Sequence, residues 1–284
     1  MPRTTSKSPI LERSLIPLPL NRDKLSMAIV IERQNLRHDM VLPDAVENQF
    51  RRIECEYAAR DRLATHNLHY RQKILLYGVP GCGKTLGAER LAWNIGLTLV
   101  KVQLDSILSS YMGDSAKNLR KVFDELGGTP CVLLLDECDT ILRTREDKQE
   151  IGEVKRIVNT FLQVLDEYNP ANGLIVMATN LTKCLDSAVW RRFDEVIELP
   201  TPTKREIQLL FVHTLKASFP KIQTEDLYWD VLLAEAEGFS AAQIVRVAQN
   251  AAKAAILQHQ LKTVTQSLLI DAIQEIKNIP ISQE

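Results

Sequence analysis

Five short apolar runs separated by helix-length segments constrain the fold more than any other feature of this sequence. They are KILLY at 73–77, LTLVKVQL at 97–104, CVLLL at 131–135, GLIVMA at 173–178 and EVIEL at 195–199. A strand with one wet face alternates apolar and polar residues, whereas runs this continuous need apolar neighbours on both faces. A parallel sheet sandwiched by helices meets that need. The intervening segments carry the matching periodicity: Ala88, Leu91, Ala92 and Ile95 form a stripe closed by Gly96, and Val154, Ile157, Val158, Phe161, Leu165 and Tyr168 form another. Ahead of the first run, Val46, Phe50, Ile53 and Tyr57 repeat at helical spacing and predict a helix over 43–64.

After Pro200-Thr201-Pro202 the strand patterns stop. Thr203 with Glu206 and Ser240 with Gln243 have capping-box spacing, each opening an apolar-periodic stretch, and Val264, Leu268, Ala272 and Ile276 repeat near the C-terminus. The expected organisation is an extended or disordered tail over 1–25, rich in proline, then an α/β domain over 26–200 and a small all-helical domain over 201–284. A chain of 284 residues has room for about two such units.

Charge and cysteine content narrow the function classes. With 35 basic and 36 acidic residues the formal charge is -1, which supplies no global attraction to nucleic acid or to an anionic membrane. The five cysteines contain no C-x-x-C pair, so neither a disulfide framework nor a zinc knuckle is indicated and a reducing cytoplasm is the expected setting. No run of about eighteen apolar residues occurs, and Pro9, Pro17 and Pro19 break the N-terminal stretch, so no spanning helix or signal-peptide core is expected.

The chemistry is concentrated after three of the apolar runs. Gly78-Val79-Pro80-Gly81-Cys82-Gly83-Lys84-Thr85 matches G-x-x-x-x-G-K-[ST] and lies between the KILLY strand and a helix, the setting of a phosphate-binding loop. The glycines let backbone N–H groups turn toward phosphate oxygens, and the helix N-terminus adds its positive end. Lys84 is expected on the β and γ phosphates of ATP and Thr85 on Mg²⁺. Cys82 is expected as a small residue filling a tight loop; a thiol at a helix N-terminus can also have a lowered pKa, which would make it oxidisable. The run CVLLL ends in Asp136-Glu137, placing Asp136 near Mg²⁺ and Glu137 where a base can deprotonate the attacking water. GLIVMA ends in Thr179-Asn180, polar groups at the carboxyl end of a strand, and Asn180 is expected to bond the γ-phosphate or the water.

Leu185-Asp186-Ser187-Ala188-Val189-Trp190-Arg191-Arg192-Phe193-Asp194 makes a resemblance specific. It is similar to the second region of homology of AAA ATPases, and with GVPGCGKT, LLLDE and ATN it gives four motifs in that family's order. GFSAAQI at 238–244 resembles the family's small-domain motif. The resemblance spans about 40–276 and implies an AAA+ ATPase of the AAA branch proper, with ATP and Mg²⁺ bound between the subunits of a homo-hexameric ring. It implies that Arg191 and Arg192 act in trans on a neighbour's ATP, and that Tyr111-Met112-Gly113 is a pore loop gripping a protein substrate. Arg143 to Gly152 falls where the family has a second pore loop, and Asp39-Met40-Val41 resembles its adenine-contacting segment. Where other AAA+ branches carry a sensing arginine this chain has Ala242, so nucleotide sensing by the helical domain is expected to be indirect.

The reading that follows is an ATP-driven ring motor that remodels, unfolds or translocates a protein, with a separate protease or effector as a partner. Two rivals share the same motifs: a nucleic-acid-handling loader, and an ATP-dependent switch in a bacterial signalling or defence complex.

Overall fold

The computed structural model describes residues 28–104, 107, 115–126, 129–139, 153–168, 173–180, 187–220, 222, 224, 227–257 and 263–279. The expected tail over 1–25, the pore-loop residues Tyr111, Met112 and Gly113, and the segment from Arg143 to Gly152 lie outside the described residues.

The five apolar runs are strands: β2 (Lys73–Tyr77), β3 (Thr98–Val102), β4 (Cys131–Leu135), β5 (Gly173–Thr179) and β6 (Glu195–Glu198). A further strand, β1 (Ala28–Ile31), completes a sheet of order β1-β3-β4-β5-β2-β6. Every pairing among β2 to β6 is parallel, and β1 joins β3 antiparallel. The five expected strands are parallel as read, and the unexpected β1 adds one antiparallel edge. Only four residues of β1 pair, and they are half-buried or exposed, so the strand lacks the doubly buried apolar signature of the other five.

Period-two alternation sorts each strand's side chains onto two cores. On β4, Leu133 and Leu135 join Leu75, Val100, Ile175, Leu119, Phe161 and Leu165 on one face. Val132 and Leu134 join Ile74, Leu76, Leu99, Val176, Phe50, Ile53 and Leu91 on the other. The first face is covered by α4 (Ser115–Leu126) and α5 (Glu153–Glu167), the second by α1 (Asp44–Ala58) and α3 (Lys84–Ile95). The helix expected over 43–64 divides at Ala59 into α1 and a short α2 (Arg60–Ala64). Gly96 ends α3 with φ of 79°, the left-handed turn for which glycine is suited.

After a short α6 (Ser187–Trp190) and β6, the described residues contain only helices: α7 (Lys204–Ser218), α8 (Trp229–Glu235), α9 (Ala241–Leu257) and α10 (Gln266–Lys277). Their core gathers Phe211, Leu215, Ile244, Val247, Ala251, Leu269 and Ile273, separate from both faces of the sheet. The two expected caps form. Thr203 N–H donates to Glu206 Oε2 at 2.9 Å, Ser240 N–H donates to Gln243 Oε1 at 2.8 Å, and Gln243 N–H returns to Ser240 Oγ at 3.4 Å.

Candidate functional site

Strand register brings the three polar strand ends together. Leu75 and Leu135 both pair with Met177, and Tyr77 pairs with Thr179. The residues that follow, Gly78, Asp136 and Asn180, therefore emerge side by side at the carboxyl edge, where open α/β sheets bind ligands. A cavity of about 890 Å³ opens there, lined by Pro80 to Thr85, Asp136, Glu137 and Asn180 on the sheet side.

The loop from Gly78 to Gly83 has a conformation that few sequences permit. Gly81 and Gly83 have φ of 81° and 93°, and a Cβ on Gly78 would lie 2.3 Å from the Leu199 carbonyl oxygen. Gly83 then opens the twelve-residue α3, whose first N–H groups face the cavity end of the helix. Lys84 Nζ donates to the carbonyls of Gly78 and Val79 at 2.8 and 3.0 Å, and burial holds its ammonium below the ordinary lysine value. Gly78 and Val79 thus sit behind the cavity lining and position the lysine. Cys82 is buried, and burial pushes its thiol up. That favours the packing role over the reactive one.

Asp136 is held through both oxygens. Thr85 Oγ1 and Lys101 Nζ each donate to Oδ2 at 2.8 Å, and Glu137 N–H donates to Oδ1 at 3.1 Å. Glu137 adopts φ of 53°, an unfavourable backbone for a side chain with a Cβ, and the residue lines the cavity. Asn180 is fixed by a residue the sequence reading passed over. Asp139 accepts the Asn180 N–H at 2.9 Å, its Nδ2 at 2.8 Å, and the Thr179 hydroxyl.

Arg191 and Arg192 lie outside the cavity. Arg191 is exposed, and Arg192 Nε donates to Asp166 Oδ1 and Oδ2 at 3.0 and 3.1 Å. Phe193 is buried in the sheet's core, and Asp194 anchors the segment by accepting the N–H groups of Gln72 and Lys73 at 2.8 and 2.9 Å.

The helical region adds His213 and Thr214 of α7 and Ala242, Arg246 and Gln249 of α9 to the cavity lining, and Asp39-Met40-Val41 joins it beside the glycine-rich loop, where a Cβ on Gly83 would lie 2.8 Å from Met40 Cε. Ala242 N–H donates to the Gly81 carbonyl at 3.0 Å, so α9 starts directly on the glycine-rich loop. Sequence reasoning missed Lys101, Asp139, His213 and Arg246 as cavity or supporting residues. Only Asp139, three positions after Asp136 in DECD, carried a local signal.

Comparison with known proteins decides the family. Residues 74–201 match the model of the ATPase family associated with various cellular activities (AAA). The chain is 38% identical over 263 residues to an uncharacterised AAA family ATPase of Sinorhizobium fredii, covering 91% of this chain and 76% of that protein. It belongs to the AAA ATPases. The enzyme accordingly binds nucleotide and hydrolyses ATP. It is also similar to proteasome-activating nucleotidases: 33% identical over 213 residues to that of Sulfurisphaera tokodaii and 30% over 269 residues to that of Pyrococcus abyssi. This AAA ATPase covers 72% and 91% of itself in those matches and spans 53% and 66% of the nucleotidases' lengths. The crystal structure of the FIGL-1 AAA domain superposes with a TM-score of 0.70 at 21% identity, over 88% of this chain and 86% of that one, a likeness of fold. Among the described residues, no helix of the ATPase is long and apolar enough to cross a membrane.

Proposed function

We propose that this AAA ATPase is a ring motor that hydrolyses Mg-ATP between subunits and uses the cycle to remodel, unfold or translocate a protein. The observation that carries the reading is the division of the site. The phosphate cradle, Asp136, Glu137 and Asn180 share one cavity, while Arg191 and Arg192, the latter ion-paired with Asp166, lie outside it. The names of the proteasome-activating nucleotidases support protein handling with a separate protease or effector as partner.

The cavity fits a Mg-nucleotide: α3's N-terminus and the positive-φ glycines form an anion cradle, and Thr85 and Asp136 offer hard oxygens side by side. When bound, Mg²⁺ supplies charge neutralisation across the phosphate oxygens. Thr85 and Asp136 would hold it. Lys84 exchanges its two carbonyl partners for phosphate oxygens, the amide of Asn180, aligned by Asp139, orients the water, and Glu137 takes the water's proton. A neighbour's Arg191 and Arg192 meet the charge that develops on the transferred group.

Two measurements test the reading. A Lys84→Ala chain has a dead cradle with intact arginines, and an Arg191→Ala/Arg192→Ala chain the reverse. Co-assembled rings of the two should regain part of the ATPase that each lacks alone, and total inactivity of proven mixed rings would sink the arrangement in trans. Tyr111→Ala should spare basal hydrolysis and abolish remodelling of a protein substrate. ATPase stimulated by DNA in a strongly salt-dependent way, with protein substrate indifferent to Tyr111, would instead favour a nucleic-acid loader.

A further inference from the structure

Two arginines line the nucleotide cavity, and among the described residues only one of them has a partner. Arg37 is spent on Glu89, to which its N–H and Nε donate at 2.9 Å each and its Nη2 at 2.5 Å. Arg246, on α9, is exposed to the cavity and has no hydrogen-bond or ion-pair partner among the described residues. The rotation of α9 leaves it no inward alternative. Ile244, Val247, Ala248 and Ala251 fill the helical core and fix the opposite face.

The start of α9 sits directly on the glycine-rich loop, with Ala242 N–H on the Gly81 carbonyl at 3.0 Å. A Cβ built on Gly81 would meet Ala242 Cβ at 3.2 Å and Ser240 Oγ at 2.7 Å, so helix and glycine-rich loop are already in contact. Position 246 lies on the same face one turn later, about 6 Å along the axis. Helical side chains lean toward the helix N-terminus and cover the turn before their own, so a side chain at 246 on the cavity wall can reach back over Ala242 toward the loop. An unneutralised guanidinium beside an anion cradle is complementary to a polyanion, and its planar fork suits phosphate oxygens.

We propose that Arg246 is a nucleotide-binding residue: its guanidinium bonds phosphate oxygens of the nucleotide at Gly81–Thr85, so that α9 responds directly to whether the cavity holds a polyphosphate. This replaces the indirect sensing that Ala242 alone implies, and it rests on the phosphate assignment of the Gly78–Thr85 loop. The interaction is with substrate and product, not with the attacking water, so it acts on binding and on the position of the helical region.

Equilibrium binding to the full-length chain tests it, with ATP, ADP and adenosine each measured by displacement of a fluorescent nucleotide. Arg246→Ala should weaken ATP and ADP about tenfold, as for the loss of a charge-assisted hydrogen bond, and leave adenosine unchanged. Arg246→Lys should restore part of the loss. Because the side chain is exposed, the thermal midpoint of nucleotide-free Arg246→Ala should match the wild type. ATP and ADP affinities equal to wild type in Arg246→Ala would overturn the proposal, and so would a loss for adenosine as large as that for ADP, which would place the contact on the base or ribose. Lys84→Ala reports separately on the loop. If that variant binds ATP as the wild type does, the phosphate assignment fails and the proposal with it, whereas an inert Arg246→Ala beside a crippled Lys84→Ala removes the proposal alone.

Discussion

The amino and carboxyl edges of the central sheet both carry carboxylates, and they use them in opposite ways. At the amino edge the charges are closed. Asp194 accepts two backbone N–H groups, and Glu195, buried, accepts Arg52 at 2.6 Å, Arg71 at 2.7 Å and Gln49 at 3.2 Å. At the carboxyl edge the bonds are exchangeable. Lys84 rests on two loop carbonyls, Lys101 and Thr85 share one oxygen of Asp136, and Glu137, at positive φ, lines a cavity. The difference follows from chain direction. Parallel strands all end at the same edge, where α3 also begins, so free N–H groups and short polar turns collect there. The other edge has only strand starts to hold, and a closed network holds them more firmly than an open one.

That contrast predicts that substitutions at one edge change chemistry and at the other change stability. The largest effect should come from Glu137→Gln, which keeps the side chain's shape and removes the proposed base: turnover should fall by about 10² to 10⁴ while nucleotide affinity and thermal midpoint stay near wild type. Unimpaired turnover in a purified variant would remove Glu137 from the mechanism. At the amino edge, Glu195→Ala deletes the acceptor of two arginines. With Arg52 half exposed, the cost should be about 2 kcal/mol in a denaturant melt. The nucleotide affinity of its folded fraction should be unchanged, and a selective loss of ATP binding would break the division between the edges.

A smaller effect tests the ion pairs that dock α1 and the segment before it onto α3. Hydrogen bonds from Arg90 hold the Glu47 carboxyl below its ordinary 4.5. Burial would raise Glu89, but the bonds from Arg37 hold it below its ordinary value. A carboxyl whose folded pKa is depressed stabilises fully above its unfolded pKa and loses that contribution as pH falls through the folded value. Stability from these two groups should therefore be flat above about pH 4.5 and decline below it. Glu54, raised by burial, works in the opposite sense. Glu47→Gln with Glu89→Gln should flatten the acid limb of the midpoint-against-pH curve, and an unchanged limb would assign acid sensitivity elsewhere. The smallest effect concerns Cys82. Buried with a raised thiol pKa, it should react with alkylating reagents far more slowly than exposed Cys55, whereas selective modification of Cys82 in the folded chain would revive an oxidisable cradle.

The five buried strands, the glycine-rich loop, the polar strand end at Asp136-Glu137 and the helical C-terminal region were legible in the sequence because each has a local cause. Doubly buried strands need continuous apolar runs, a loop with several left-handed residues needs glycine at fixed offsets, and caps need a hydroxyl three residues ahead of an acceptor. Asn180 was legible as a polar strand end, but its hold by Asp139 spans 41 residues and exists only because the Cys138 N–H meets the Ala178 carbonyl at 3.1 Å. β1 was invisible because an edge strand of four residues with a half-open face has no period of its own. Lys101 meets Asp136 only through the parallel pairing of β3 with β4. Arg246 reads in the sequence as one more solvent-facing charge on an amphipathic helix. Only the docking of α9 against Gly81 turns that face toward the nucleotide cavity, because which surface a helix presents to a ligand is set by what its other face packs against.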